Sequence, residues 1–246
     1  MRRQMELSDR LQAVAGLVTA GNVACDVGCD HGFVSIYLAE RGISPRVIAM
    51  DVNRGPLQTA RGHIGEYGLA ELIETRLSDG VEALAAGEAD TLICAGMGGR
   101  LMLRILEEGG EKVRLMKEMI LQPQSELQEV RKYLRSRGHT VAEERMVLEA
   151  GKYYPVMRIL PSGRTEGQTG RADEEKNEVR LRIEDKYGPV LLRKKDPVLQ
   201  DFLQKEKRIC RQILEGLQAG GSRQESRRKE ILERLEDIER ALRLYI

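Results

Sequence analysis

The fold of this chain is decided by one stretch near its beginning, Val23-Ala24-Cys25-Asp26-Val27-Gly28-Cys29-Asp30-His31-Gly32-Phe33-Val34. The residues up to Val27 are mostly apolar, which predicts a buried strand. The segment from Phe33 to Arg41 is predicted to form a helix, and the turn between the two elements is rich in glycine and aspartate. A strand, a glycine-containing turn and a helix in this order indicate the first unit of an α/β fold.

The alternation of strand and helix continues along the chain and ends in a hairpin. Two last strands, at 142–149 and 153–160, are linked only around Gly151, and so short a link requires them to pair antiparallel. The preceding strands follow the order of βαβ units, so we expect them to lie parallel in one sheet. They are predicted at 23–27, 46–51, 73–77, 90–95 and 118–122.

Two helix starts are indicated by capping residues. Ser8 precedes Leu11 and Val14, which have the spacing of one helix face, so a short helix is predicted to lead into the fold. The segment Ser125-Glu126-Leu127-Gln128 is typical of a capping box. We therefore expect a helix after Ser125 that ends near Gly138.

A change of composition after Pro161 indicates a linker and a second unit. Small polar and charged residues continue to Ala172, so we predict one domain at 1–163 and another at 164–246. Two amphipathic stretches in the second domain predict an antiparallel coiled-coil hairpin that closes within one chain, which favours a monomer. Their apolar residues are Leu199, Phe202, Ile209, Ile213 and Leu217 in the first stretch, and Ile231, Leu235, Ile238, Leu242 and Tyr245 in the second, with Gly220-Gly221 between the stretches.

The composition of the 246 residues is that of a cytoplasmic protein, with 41% apolar and 32% charged residues and a net charge of +1. No window approaches the length of a membrane span, and Met1–Glu6 has no apolar run behind it that would make a signal peptide. The cysteines, Cys25, Cys29, Cys94 and Cys210, lack C-x-x-C spacing, so we expect reduced thiols and no metal site. Contacts with a polyanion would require local clusters of basic residues.

The turn after the first strand combines glycines with carboxylates. Gly28 and Gly32 allow the backbone to pass close to a ligand, and Asp26 and Asp30 put negative charges beside it. A dinucleotide site would instead need Gly-x-Gly-x-x-Gly to seat a pyrophosphate, which two carboxylates would repel. An oxidoreductase is therefore disfavoured. The two acids suit a ligand with an amine and a sulfonium charge, such as S-adenosylmethionine.

Acidic residues also end the next two strands. Asp51, followed by Val52, closes the second strand, where an acid in a doubly wound fold binds the ribose hydroxyls. Ser78-Asp79-Gly80 ends the third strand, where a carboxylate can accept a hydrogen bond from an adenine amino group. Each acid alone could be a helix cap or a solvated loop residue. Together, at the carboxyl ends of parallel strands, they indicate a nucleoside cofactor.

The segment Ala95-Gly96-Met97-Gly98-Gly99 follows the fourth strand, which we expect to lie beside the first. Its glycines would let a flat substrate approach the backbone, although a tight turn made only for packing explains them as well. Enzymes that methylate exocyclic base amines usually carry an Asn/Asp-Pro-Pro-aromatic motif here. This chain does not.

Five motifs in order resemble the bacterial tRNA (adenine-N1)-methyltransferase family that acts on adenine 22. The resemblance covers residues 5 to about 160 and continues more loosely into the C-terminal coiled coil. It implies a Rossmann-like class I methyltransferase fold. The motifs are Leu7-Ser8-x-Arg10-Leu11, Asp26-x-Gly28-x-Asp30-His31, Asp51-Val52-Asn53-x-Gly55-Pro56-Leu57, Ala95-Gly96-Met97-Gly98-Gly99 and Leu121-Gln122-Pro123.

The resemblance implies S-adenosylmethionine as the cofactor, tRNA as the partner and a set of site residues. Cofactor binding is expected at Asp26, Gly28, Asp30, Gly32, Asp51, Val52, Ser78, Asp79, Gly80 and Gly96. Catalytic roles are expected for Asp30, His31 and Met97, and substrate contacts for His31, Phe33, Gly98, Arg100 and Gln122. Many members have Tyr where this chain has Phe33. Phe33 can still stack on the target base, but it cannot take a role that needs a phenol hydroxyl.

Three functions remain open at this point. The first is the tRNA methyltransferase, and the second is a methyltransferase for another RNA base, a small molecule or a protein. The third is a nucleotide-binding adaptor without catalysis, whose coiled coil recruits a partner. The basic run Arg193-Lys194-Lys195 could contact RNA phosphates or could be a solvated helix face, and the coiled coil could grip tRNA or form a dimer.

Overall fold

The computed structural model describes residues 4–161, 174–217 and 222–246. The chain divides into two compact units, residues 1–168 and 169–246. The predicted domain boundary after residue 163 and the predicted Gly220-Gly221 turn lie outside the described residues. None of the helices in the described ranges is long and apolar enough to cross a membrane.

The first unit is built on a seven-stranded sheet of order β3-β2-β1-β4-β5-β7-β6. The strands β1 to β5 are parallel, and β7 pairs antiparallel with both β5 and β6. The predicted parallel sheet with an antiparallel hairpin at its end is confirmed. The strands are β1 Ala24–Val27, β2 Val47–Asp51, β3 Ile73–Leu77, β4 Thr91–Met97, β5 Glu118–Pro123, β6 Thr140–Glu149 and β7 Lys152–Leu160.

Helices cover both faces of this sheet. Successive residues of β1 point to opposite faces, so Ala24 joins one buried cluster with Ile36 and Ala60, and Cys25 joins another with Met102 and Leu134. All four cysteines are buried and free, as predicted. The helices are α1 Asp9–Ala15, α2 Phe33–Glu40, α3 Arg54–Glu66, α4 Gly99–Glu108, α5 Gly110–Arg114 and α6 Leu127–Ser136.

The capping predictions had different outcomes. Ser8 caps α1, because its Oγ accepts a hydrogen bond from the Leu11 backbone N–H at 3.5 Å, as predicted. The predicted capping box at Ser125 is wrong, since α6 begins after Glu126, whose side chain makes no capping bond. The Ser125 hydroxyl accepts the Gly99 backbone N–H at 3.2 Å instead. The Ser125 hydroxyl, which was expected to cap α6, therefore binds the start of α4.

The second unit contains four described helices rather than the two of the predicted hairpin. They are α7 Glu174–Tyr187, α8 Pro189–Arg193, α9 Pro197–Gly216 and α10 Ser222–Arg243. The helices α9 and α10 run in opposite directions, because the Tyr245 hydroxyl after α10 donates to the carbonyl of Asp196 before α9 at 3.1 Å. The α7 helix packs on α10, where Arg182 binds the buried Asp237 at 2.7 Å.

The apolar seam of α9 is shifted from the predicted positions. Leu199 is buried as expected, but Leu203 and Cys210 are the other buried residues of this helix. Phe202 and Ile209, which were predicted to form the seam, are only half-buried.

Candidate active site

A cleft of about 620 Å³ opens at the carboxyl ends of β1, β2 and β4. Ligands bind at this edge of parallel α/β sheets, beside the point where the strand order reverses. The cleft is lined by twelve of the residues expected at the site. These are Asp26, Gly28, Asp30, His31, Phe33, Asp51, Val52, Ser78, Asp79, Gly80, Gly96 and Met97.

The turn after β1 is fixed to the neighbouring strand. The backbone N–H groups of Gly28 and Cys29 both donate to the Met50 carbonyl, at 2.9 and 3.0 Å. Gly28 has a φ of +72°, and a Cβ there would lie 3.3 Å from the Met97 side chain. The left-handed backbone angle favours glycine at this point, and a Cβ would also crowd the end of the Met97 side chain.

Asp26 carries a buried carboxylate, with 4% of the residue exposed. Burial raises its pKa from an ordinary 3.8 to about 6, and the nearby charge of Asp51 adds to this shift. The Ser35 hydroxyl donates to Asp26 Oδ2 at 2.7 Å and opposes the shift. A carboxylate in this state gains much from a cationic ligand, because the ligand would offset the cost of burying its charge.

Asp51 is also buried, with 7% exposed, and it holds the loop beyond β2. Its Oδ1 accepts the Asn53 backbone N–H at 2.8 Å, and its Oδ2 accepts the Asp30 backbone N–H at 3.4 Å. An ionised carboxylate has about four acceptor sites, so acceptor capacity remains beyond these two bonds. Because Asp51 lines the cleft, a ligand with paired hydroxyls can use it.

The end of β3 contributes a turn in which the polar groups already have partners. Ser78 Oγ donates to the Gly80 carbonyl at 3.1 Å and accepts the Ala83 backbone N–H at 3.0 Å. Asp79 forms a bidentate pair with Arg104, at 2.9 and 3.1 Å, which lowers the pKa of the Asp79 carboxyl. Arg104 also lines the cleft, and the sequence had not indicated this partner for Asp79.

The end of β4 departs from the regular ladder. The pairing with β5 shifts register between Ala95 and Met97, and Gly96 adopts a φ of +77°. The freed Gly96 N–H donates to Gln122 Oε1 at 3.1 Å. Gln122 is fully buried and does not line the cleft, so it supports the glycine turn from behind.

Arg10 lines the same end of the cleft and was not among the predicted site residues. Its guanidinium donates to Gln122 Oε1 at 2.9 Å and lies 5.6 Å from the ring centre of Tyr154. Its backbone N–H donates to Glu149 at 3.0 Å. The signal in the sequence was its place in the motif Leu7-Ser8-x-Arg10-Leu11. The cleft therefore combines one guanidinium at the β4 end with carboxylates at the ends of β1 and β2.

Besides Gln122, the expected site residues Gly32, Gly98 and Arg100 do not line the cleft. Gly32 begins α2 with a φ of +75°, and a Cβ there would lie 3.1 Å from the Cβ of Ala60. A Cβ on Gly98 would lie 3.2 Å from the Ser125 hydroxyl. The Arg100 side chain is 90% exposed and lies 3.7 Å from Glu126. In the structure both glycines serve close packing between elements.

A Gly32→Ala variant is expected to lower the free energy of unfolding by about 1 to 2 kcal/mol, from its left-handed backbone and the crowding against Ala60. Gly42→Ala is the matched control, because Gly42 has a φ of +65° with no atom near its Cβ position. Urea denaturation of both variants separates the cost of the backbone angle from that of the contact. Equal losses would show that the Ala60 contact costs nothing.

The turn leading into α2 places two rings at the cleft. The ring centres of His31 and Phe33 are 5.5 Å apart at an angle of 27°, a stacked arrangement. Phe33 is 36% exposed, and His31 Nε2 lies 3.5 Å from Asp30 Oδ1. An exposed aromatic ring beside carboxylates can receive a flat group that becomes cationic.

Comparison with known proteins gives a consistent set of relatives. A family model described as a methyltransferase domain matches residues 7–157. The tRNA (adenine(22)-N(1))-methyltransferase of Bacillus subtilis is 29% identical over 95% of this chain and 95% of its own. The crystal structure of a candidate tRNA (m1A22) methyltransferase of Streptococcus pneumoniae has a TM-score of 0.82 at 30% identity, covering 96% of this chain and 100% of that one. The same protein in complex with S-adenosyl-L-methionine has a TM-score of 0.80.

Proposed function

This chain belongs to the S-adenosylmethionine-dependent methyltransferase family that includes the bacterial tRNA (adenine(22)-N(1))-methyltransferases, and we propose that it methylates N1 of adenine 22 in tRNA. The observation that carries the proposal is the extent of the likeness, which spans 96% of this chain and all of the Streptococcus pneumoniae protein. A likeness to a general methyltransferase domain alone would cover only the first unit.

The residues of the cleft fit S-adenosylmethionine. We propose that Asp51 accepts hydrogen bonds from its ribose hydroxyls, and that the carboxylate of Asp26 faces its positive charges. Gly28 and Gly96 turn the backbone at the cleft with left-handed angles of +72° and +77° and add no side chain beside these acids. The Asp79 carboxylate is assigned to accept a hydrogen bond from the adenine amino group. When bound, the cofactor supplies a methyl group made electrophilic by its sulfonium.

The chain's own residues are assigned to orientation and charge stabilisation. Adenine N1 carries a lone pair and no proton, so no residue has to remove a proton before attack. Phe33 and His31 would stack on the base, with Gly96 and Met97 leaving a flat space opposite. The methylated base is cationic, and the carboxylate of Asp30 and the Phe33 ring would stabilise that charge as it develops.

We propose that the second unit, predicted as residues 164–246, contacts the tRNA backbone. In the basic run Arg193-Lys194-Lys195 no side chain forms an ion pair with another described residue, which leaves these charges available for phosphates. The seam between α9 and α10 closes within one chain, which supports a monomer. A tRNA substrate supports a location in the cytoplasm.

Affinity for S-adenosylmethionine is expected to rise about tenfold as the pH increases from about 5 to about 7. Asp26 has a pKa of about 6 and must be ionised to attract a cation. Isothermal titration calorimetry across this range tests the expectation. The Asp26→Asn variant is the control and should show a flat pH profile, and a flat profile in the wild-type protein would contradict the role of Asp26.

The same carboxyl affects folding in the opposite sense. Between pH 3.8 and about 6 the folded chain keeps the Asp26 proton that the unfolded chain has lost. The contribution of Asp26 to the unfolding free energy therefore falls as pH rises through this window. The effect of Asp26 ionisation on stability can be measured apart from its effect on cofactor affinity, because the free energy of unfolding is measured without the cofactor.

The proposed function is tested by incubating the protein with labelled S-adenosylmethionine and unmodified tRNA transcripts and mapping the methylated nucleotide. We expect N1-methyladenine at position 22. Label transferred to another base, or to protein or small molecules without RNA, would overturn the proposal in favour of a different methyltransferase. Absence of any transfer by a protein that binds the cofactor would favour an adaptor.

A further inference from the structure

The aromatic rings of His31, Phe33 and His63 form a compact cluster at the edge of the catalytic cleft, in which the ring centres of His31 and His63 are 6.1 Å apart. Phe33 stacks on His31 at 5.5 Å and on His63 at 5.3 Å, with an angle of only 16° between the rings of Phe33 and His63. The third ring, His63, lies on α3 and does not line the catalytic cleft. The assigned reaction uses only the rings of His31 and Phe33.

A second cleft is lined by His63 and Phe33 of this ring cluster. It has a volume of about 710 Å³ and shares Phe33 with the catalytic cleft. The residues that line it include His63, Tyr67, Gln4, Glu6 and Glu66. The two clefts share the Phe33 side chain, so a ligand that spans both would pass over Phe33.

The His63 ring is held in a fixed orientation. Its Nδ1 lies 3.0 Å from the His31 carbonyl oxygen, which can only accept, so Nδ1 carries the proton. His63 and Tyr67 are half-buried, so each keeps part of its ring accessible. A pre-oriented ring loses little freedom when a flat group stacks on it.

The polar residues of the second cleft indicate what the flat group is. Glu6 and Glu66 are exposed, and neither forms an ion pair among the described residues. Among the described residues that line this cleft, the carboxylates of Glu6 and Glu66 supply the charge, which favours hydrogen-bond donors on a ligand. A carboxylate accepts hydrogen bonds and matches two adjacent N–H donors, as on the Watson–Crick edge of guanine.

We propose that the second cleft binds a second nucleobase of the same tRNA, stacked on His63 with its donor edge towards the carboxylates of Glu6 and Glu66. This inference rests on the proposed tRNA substrate. Single-stranded bases are recognised in this way, by stacking on aromatic side chains and by hydrogen bonds to their Watson–Crick edge. Holding a second base sets the register of the strand, so it determines which adenine reaches the catalytic cleft.

The proposal is tested at His63 with two substitutions. In His63→Ala the ring is lost, and we expect the KM for tRNA to rise about tenfold, the usual scale of a base stacked on an aromatic ring. The kcat at saturating tRNA and the affinity for S-adenosylmethionine should be unchanged. His63→Phe keeps the ring but loses the hydrogen bond to His31, and it should retain most of the wild-type KM.

The base itself is identified with tRNAs that carry an abasic nucleotide. Each nucleotide near adenine 22 is replaced in turn, and the KM is measured with the wild-type protein and with His63→Ala. The position whose base occupies the second cleft should raise the wild-type KM about tenfold but cause no further loss in His63→Ala. Glu66→Gln, which keeps the shape of the side chain, should lower the preference for guanine at that position.

Two outcomes would overturn the inference. A His63→Ala protein with the wild-type KM for tRNA would show that nothing stacks there. Equal losses of kcat in His63→Ala and His63→Phe would show that His63 only positions the His31 turn. Both outcomes differ from failure of the proposed function, in which the wild-type protein would not methylate tRNA at all.

Discussion

An Asp51→Ala variant is expected to bind S-adenosylmethionine at least about a hundredfold more weakly than the wild-type protein, because two hydrogen bonds to an ionised acceptor are lost. The carboxylate is buried at the end of β2 and is already oriented by the Asn53 and Asp30 backbone N–H groups. It therefore pays little ordering entropy on binding the ribose. Isothermal titration calorimetry with the cofactor alone measures the loss.

Asp51→Asn serves as the matched variant. An asparagine oxygen can still accept the Asn53 N–H, so the loop after β2 should keep its conformation, while the negative charge is lost. We expect a cofactor affinity between those of the wild-type and Asp51→Ala proteins. A folded Asp51→Ala protein with unchanged affinity would contradict the assignment of the ribose to Asp51.

The parts of the site that could be predicted are those fixed by their position at a strand end. The carboxyl ends of parallel strands meet at one edge of the sheet, so recognising the strands was enough to bring Asp26, Asp51 and Gly96 together. The distances between these residues along the sequence do not by themselves show that they meet in the fold. The predicted order of elements was thus sufficient for the framework of the cleft.

The residues that could not be predicted reach the site through long-range packing. Arg10 is placed by Gln122 and Glu149, which are far from it in sequence and lie on β5 and β6. His63 is placed by the packing of α3 under the turn after β1, where it contacts the carbonyl of His31. Arg10 stands in the motif Leu7-Ser8-x-Arg10-Leu11, but the motif does not show that its side chain reaches the cleft, and no local pattern distinguishes His63 from an ordinary polar residue of an exposed helix.

The additional helices of the second unit were missed for a different reason. The α7 helix is rich in charge, and its apolar residues do not share one face, because Leu181 lies two positions from both Val179 and Ile183. It is stabilised in the fold by ion pairs with Asp237 on α10, whose burial a sequence does not show. Likewise, Arg131 and Glu144 form a buried pair at 3.0 Å that appears in the sequence as two ordinary surface charges.

A Phe33→Ala variant is expected to methylate tRNA with a kcat about a hundredfold below that of the wild-type protein. Phe33 is exposed at the cleft and stacks on His31, and its ring is proposed to be the platform that orients the target base. The carboxylates that fit the cofactor lie on β1 and β2 and do not depend on this ring. Affinity for S-adenosylmethionine should therefore change little.

Phe33→Tyr separates stacking from general disturbance of the turn. It keeps the ring and adds a hydroxyl, so we expect its kcat to stay close to that of the wild-type protein. Single-turnover methylation at saturating tRNA and cofactor, together with calorimetric cofactor binding, gives both quantities for each variant. Equal losses of kcat and of cofactor affinity in Phe33→Ala would place the ring against the cofactor instead of the substrate. A loss confined to kcat in Phe33→Ala, with kcat retained in Phe33→Tyr, would support the assignment of the ring to the target base.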